Sequence, residues 1–265
     1  MNKLLCASFV LAVASVTGQG YAQAQPQAPA PAQTPASSQA PASSQAPAPA
    51  AGAPAAQQAK SAVPSSPEAL QAKMAMCIGC HGIKGYQASF PEVYKVPMIS
   101  GQSAKYIAAA LNAYKTGDRK HPTMRGVADG LSEQDMAEIG AYYEKHGQAE
   151  QSGPVSDKLS REPSPQVAAL LQKAACVSCH GANLSRPIDP TYPKLGGQHA
   201  DYLFASLKAY KAENNPTVGR NNAVMGAIAK QFSNAELKIL SNYIGSLEGE
   251  LRTQPESRFR AASSQ

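Results

Sequence analysis

The pentad Cys77-Ile78-Gly79-Cys80-His81 returns 99 residues later as Cys176-Val177-Ser178-Cys179-His180. Two cysteines at this spacing, followed at once by histidine, form the attachment signature of c-type haem. The thiols add across the two vinyl groups of one haem, and the histidine falls under its iron. The chain has five cysteines. Cys6 lies in the N-terminal apolar segment and the pentads use the other four, so no disulfide or thiol nucleophile is left over. A zinc ribbon would need both pairs to converge on one ion, whereas each pair here has its own histidine and its own repeat. A thioredoxin-like site would need a βαβ setting that neither pair has. The reading is two covalently bound haem c groups, attached through Cys77, Cys80, Cys176 and Cys179. His81 and His180 are the proximal iron ligands.

The pentads sit in an internal duplication. Ser66-Pro67 opens a helix running to Cys77, and Ser164-Pro165 opens its counterpart running to Cys176. Serine at the cap and proline at the first helical position is a helix-start signal. After each pentad a loop ends in Pro97-Met98-Ile99-Ser100-Gly101-Gln102 or Pro193-Lys194-Leu195-Gly196-Gly197-Gln198. The second helix shows one face of Tyr106, Ile107, Ala110, Leu111 and Tyr114, matched by Tyr202, Leu203, Ser206, Leu207 and Tyr210. The last helix opens with Ser132-x-x-Asp135 or Ser233-x-x-Glu236, both capping boxes. No sustained strand alternation occurs. The expected class is all-α, with two tandem cytochrome c-like domains, each of about three main helices around one haem.

A proximal imidazole needs an acceptor for its second N–H. The Pro97 and Pro193 carbonyls are the candidates. The sixth ligand decides the chemistry, because a Met thioether saturates the iron and raises its potential. Met124 lies 43 residues beyond His81 and Met225 lies 45 beyond His180, each in the loop before the last helix. Only this pair is duplicated in register. Met98 aligns with Lys194, Met136 occupies a helix face, and Met74 and Met76 have no partners in the second repeat. His121, three residues before Met124, is the one rival for the first iron, and the second repeat has no matching histidine. His146 and His199 read as a helix end and a surface residue.

Residues 1–24 read as a secretory signal peptide: Lys3, then an apolar stretch from Leu4 to Val16, then small residues up to Ala24. An uncleaved anchor is the alternative, although the apolar run is short for a span. Residues 25–65 are almost all Ala, Pro, Gln and Ser and should form a disordered spacer, either for reach or as a passive leader. Residues 66–150 and 151–249 are the two domains, and 250–265 a polar, disordered tail. The formal net charge is +6. Residues 66–150 balance nine cations against nine anions, while 151–265 carry thirteen against nine. A positive face for an acidic redox partner is one reading of that excess. Nothing in the pattern argues for nucleic acid.

With these motifs in place, residues 66–248 resemble the dihaem cytochrome c4 family. The likeness extends to Gly117-Asp118-Arg119 ahead of Met124 and Gly219-Arg220 ahead of Met225. The resemblance implies His81/Met124 and His180/Met225 ligation, with the two haems facing each other across the domain interface. It also implies a periplasmic one-electron carrier in a respiratory chain, taking electrons from a quinol-oxidising complex and passing them to a membrane terminal oxidase. Peripheral membrane association is compatible with that role. The chain would be an electron-transfer protein rather than an enzyme. The alternatives are a cytochrome subunit of a larger dehydrogenase or oxidase, and a dihaem peroxidase, which would need an open iron. The long spacer and the differing loop after His180 depart from the family pattern and bear on the partner.

Overall fold

The computed structural model describes residues 65–148 and 155–255. The expected leader, nearly all of the spacer and the last ten residues lie outside these. The first repeat contains α1 (Pro67–His81), α2 (Ala104–Thr116), α3 (Pro122–Asp129) and α4 (Glu133–Gln148). The second contains α5 (Pro165–Lys173), α6 (Cys176–His180), α7 (Ala200–Lys211), α8 (Ala223–Lys230) and α9 (Asn234–Gly245). Four two-residue strands complete the described elements: β1 (Gln87–Ala88), β2 (Tyr94–Lys95), β3 (Arg119–Lys120) and β4 (Gly219–Arg220). The architecture is all-α, as expected. None of the described helices is long and apolar enough to cross a membrane.

The helix starts follow local chemistry. The Ala69 amide donates to Ser66 Oγ at 3.2 Å and the Val167 amide to Ser164 Oγ at 3.4 Å, each beside a proline at the helix start. Ser132 and Asp135 exchange reciprocal bonds of 2.9 and 3.2 Å, and Ser233 and Glu236 do the same at 2.7 and 3.2 Å. These satisfy amides that a helix cannot pair internally. Asp135 also pairs with Lys73, tying α4 to α1. That hydrogen bond, with the Ser132 amide, holds the Asp135 carboxyl down at about 2.

Each repeat has its own core. Met74, Ile78, Ile107, Leu111, Leu131, Met136, Ile139 and Tyr143 form the first. Val167, Leu170, Leu203, Leu237, Leu240 and Ile244 belong to the second. In both, the second helix packs on the last, α2 on α4 and α7 on α9. Glycines set how closely they approach. A Cβ on Gly140 would lie 2.5 Å from the Ala104 carbonyl oxygen, and one on Gly245 2.8 Å from that of Gln198. On a solvent-facing helix surface, glycine to alanine gains about 1 kcal/mol. At Gly140 the overlap with backbone reverses the sign. Gly140→Ala is expected to destabilise by about 2 kcal/mol, the range of core overpacking. Gly126→Ala, where a Cβ meets nothing within 4 Å, should be neutral or stabilising. Thermal unfolding of the two holoprotein variants checks the contrast.

Three features depart from the sequence reading. The second pentad does not continue its opening helix, because Ala175 takes a left-handed conformation with φ 47° and α6 starts afresh at Cys176. Nothing in the local sequence marks this break, since alanine is the best helix former. The methionine segments, expected as loops, are the short helices α3 and α8. Residues 250–255, assigned to a disordered tail, belong to the fold. Leu251 is only 2 % exposed, the Arg252 amide donates to the Ser100 carbonyl at 2.9 Å, and Glu250 pairs with Lys194. Gly101, at φ +86°, admits this segment: a Cβ there would sit 2.3 Å from the Glu250 carbonyl oxygen. The apolar anchor Leu251 and the glycine gap outweigh the polar composition around them.

The two repeats lie in one compact unit. Gln102 accepts from the Lys194 amide at 3.0 Å and donates to its carbonyl at 3.1 Å. Gln198 does the same with Met98, at 3.0 and 2.9 Å. Each glutamine thus mimics a strand neighbour for the equivalent residue of the other repeat. β3 and β4 add an antiparallel pair that sets Arg119 opposite Arg220.

Candidate functional site

In the first repeat the pentad forms the last turns of α1, which places Cys77 one helical turn from Cys80 and His81. In the second it forms α6. None of the four pentad cysteines is in a disulfide. Cys77 packs against the first core and Cys176 against the second.

The histidines are fixed in the same way twice. His81 Nδ1 donates to the Pro97 carbonyl at 2.8 Å, and His180 Nδ1 to that of Pro193 at 3.0 Å. These are the acceptors the sequence pointed to. With the proton on Nδ1, the Nε2 lone pair is left for a metal. Burial lowers the pKa of both rings, keeping them in the neutral form that ligation requires. Two cysteines a turn apart, next to an imidazole pre-set for ligation through Nε2, fit a covalently attached haem in each repeat.

Met124 and Met225 stand at the third position of α3 and α8. The Met124 amide donates to His121 Nδ1 at 3.3 Å, and the Met225 amide to Asn222 Oδ1 at 2.9 Å. His121 therefore has a counterpart after all. It is Asn222, and both residues cap the helix that carries the methionine. Met124 is half-buried against the first core. Met98 is engaged at the repeat interface through its backbone, and Met136 is core. His146 stacks on Tyr142 with ring centroids 5.0 Å apart and meets Ser100 Oγ at 3.1 Å, so it packs inside the first repeat.

The model of the cytochrome c family matches residues 166–248. Cytochrome c4 of Stutzerimonas stutzeri is 31% identical over 184 residues, covering 66% of this chain and 85% of that protein. The chain belongs to the cytochrome c4 family. Another relative, the thiosulfate dehydrogenase electron acceptor of Stutzerimonas stutzeri (strain A1501), is 28% identical over 182 residues, 64% of this chain and 78% of that protein. The crystal structure of reduced recombinant cytochrome c4 from Pseudomonas stutzeri is 28% identical, covers 68% of this chain and 98% of that one, and gives a TM-score of 0.48. As a cytochrome c4 relative, the protein is a c-type cytochrome that carries electrons and binds two haem c groups covalently.

The structure also brings together residues to which motif reading had given no role. Arg119 and Arg220 each precede their methionine by five residues. They lie among Tyr106, Tyr114, Tyr202 and Tyr210, whose periodicity had suggested only an inner helix face. Their in-register duplication was the available signal.

Proposed function

We propose that the protein is a periplasmic one-electron carrier with two saturated irons. Cys77 and Cys80 hold one haem and Cys176 and Cys179 the other, with axial pairs His81/Met124 and His180/Met225. The observation that carries this reading is the doubled arrangement: a Pro-carbonyl-fixed histidine and, in register, a methionine at the third position of a capped short helix. Each haem supplies a one-electron iron couple. The chain's own residues exclude water, hold the imidazoles neutral and offer a soft thioether, which favours the reduced state. With His81/Met124 and His180/Met225 as their ligands, neither iron would offer a coordination site to substrate, as a carrier requires.

Residues 1–24 would direct export and be removed, 25–65 would give reach, and the repeats would act as two haem domains, 66–150 and 151–249. Donor and acceptor would be redox proteins met briefly through small, salt-sensitive contacts. A quinol-oxidising complex and a terminal oxidase are the partners the family suggests. A second reading is an electron acceptor for a sulfur-compound dehydrogenase, which the relatives of that description favour. The test is an optical spectrum of the matured protein with a pyridine haemochrome count. Two haems per chain, low-spin in both oxidation states, with the near-infrared sulfur-to-iron band when oxidised, are expected. A high-spin fraction that binds peroxide would sink the carrier reading and favour an enzyme.

A further inference from the structure

Each proximal histidine is joined to the opposite repeat through a single peptide group. The Pro97 carbonyl that accepts from His81 Nδ1 at 2.8 Å belongs to the peptide whose N–H, on Met98, donates to Gln198 Oε1 at 3.0 Å. The Pro193 carbonyl that accepts from His180 Nδ1 at 3.0 Å belongs to the peptide whose N–H, on Lys194, donates to Gln102 Oε1 at 3.0 Å. Each chain therefore runs from imidazole N–H to backbone carbonyl, then from peptide N–H to a side-chain carbonyl. Each crosses from one repeat to the other.

The two glutamines are held firmly. Both are 4 % exposed. Each Oε1 accepts a second bond at 3.0 Å, from the amide of Ser103 or of His199. Each Nε2 donates across the seam, to the Lys194 carbonyl at 3.1 Å or the Met98 carbonyl at 2.9 Å. These partners fix the amide orientation, because a flipped group would set its nitrogen against two N–H donors. The Gly101 and Gly197 amides tie the preceding residues to the last helices, through the Tyr143 carbonyl at 2.8 Å and the Ile244 carbonyl at 3.1 Å.

Joining the repeats does not require this placement. The ion pairs Lys95–Asp201 and Lys208–Glu92 bridge the same seam elsewhere. What the glutamines add is a bond to the group that orients the iron ligand. Hydrogen bonds in series polarise one another. An acceptor on the peptide N–H draws charge toward the carbonyl oxygen, which then holds the imidazole proton more strongly. The ring becomes a stronger donor to iron, and stronger donation favours the oxidised state.

We propose that Gln198 lowers the potential of the first iron and Gln102 that of the second. Each is a positioning residue that acts through a peptide and a histidine of the other repeat. The proposal rests on His81 and His180 being iron ligands and is independent of which residues are the sixth ligands.

The experiment is a potentiometric titration of the matured two-haem protein and its Gln198→Leu and Gln102→Leu variants, with the irons told apart by the NMR signals of their haem methyl groups. The haemochrome count and the low-spin spectrum check the haem and ligand assignments separately. Leucine fills much of the same space without an acceptor. Gln198→Leu should raise the reduction constant of the first iron about threefold, ~28 mV at 59 mV per tenfold, and leave the second unchanged. Gln102→Leu should do the reverse. In the reduced protein the His81 Nδ1 proton signal should move upfield in Gln198→Leu while that of His180 stays. Gln198→Asn, a milder change that withdraws the amide by one methylene, should shift the first iron in the same direction and guards against misfolding. The double variant Glu92→Gln, Lys208→Gln breaks an ion pair at the seam with no change in net charge, and should move neither potential. A shift in the iron of the substituted repeat, an equal shift in both irons, or none in a folded two-haem variant would overturn the crossed chain. So would the same shift in the Glu92→Gln, Lys208→Gln protein, which would assign the effect to a loosened seam.

Discussion

Met124→Ala should leave the first iron with an open sixth position while the second stays saturated. The near-infrared sulfur-to-iron band should fall by half, carbon monoxide should bind one iron per chain, and that iron's potential should drop by a few hundred millivolts, within the roughly 0.8 V that axial ligands span. Met225→Ala should do the same to the second iron. The argument rests on position. Each methionine sits at the third residue of an eight-residue helix whose cap accepts its amide, from His121 in one repeat and Asn222 in the other. A side chain built for core packing alone would not need the same backbone support twice. The companion variant His121→Ala separates the two candidates for the first iron. It should remove a cap worth about 1 kcal/mol and leave the spectrum alone. An unchanged band in Met124→Ala, with loss of the low-spin state in His121→Ala, would transfer the ligand role to His121.

The double variant Cys176→Ser, Cys179→Ser should mature with one haem and lose the second repeat as a folded body. A unit of this size has a thin core of its own and is correspondingly marginal. Its core of twelve buried residues, among them Val167, Leu170, Leu203, Leu237, Leu240 and Ile244, would be completed by the apolar body of the haem. Deleting it should cost more than truncating any one core side chain, for which about 2–5 kcal/mol is usual. The loss should spread, because Gln198 and Lys194 of the second repeat hold Met98 and Gln102 of the first. A haemochrome count of one per chain, with hydrogen exchange collapsing in α7 and α9 and weakening around Ser100–Ser103, is the expected result. Full protection in α7 and α9 without haem would show that the polypeptide core suffices.

The parts legible in the sequence were those governed by short-range rules. The pentads declare their chemistry through covalent spacing. Ser66, Ser164, Ser132 and Ser233 declare helix starts through the bonds their own hydroxyls can make. Pro97 and Pro193 could be named as acceptors because they head matched loops. What stayed hidden depends on distant neighbours. α3 is capped by a histidine, which propensity rules do not expect, so its segment read as a loop. Ala175 turns left-handed for no local reason. Leu251 looks like one apolar residue in a polar tail until the fold buries it, beside a Glu250 backbone that Gly101 leaves room for. The arginine pair needed two segments about a hundred residues apart to be laid side by side, and β3 and β4 do that only in the folded chain.

The exchange of glutamines across the middle of the molecule has a historical consequence. A surface that grips the same surface on a second copy is the signature of a twofold dimer, and here both copies belong to one polypeptide. In a dimer of identical chains every substitution appears on both sides at once, so each must suit both. Fusion removes that bond. One half was then free to gain the Asn183-centred loop and to send Glu250 and Arg252 against its neighbour, while the other kept its β1–β2 hairpin. Inequality of the two centres, which a carrier with distinct sides needs, became open to selection once the copies shared a single chain.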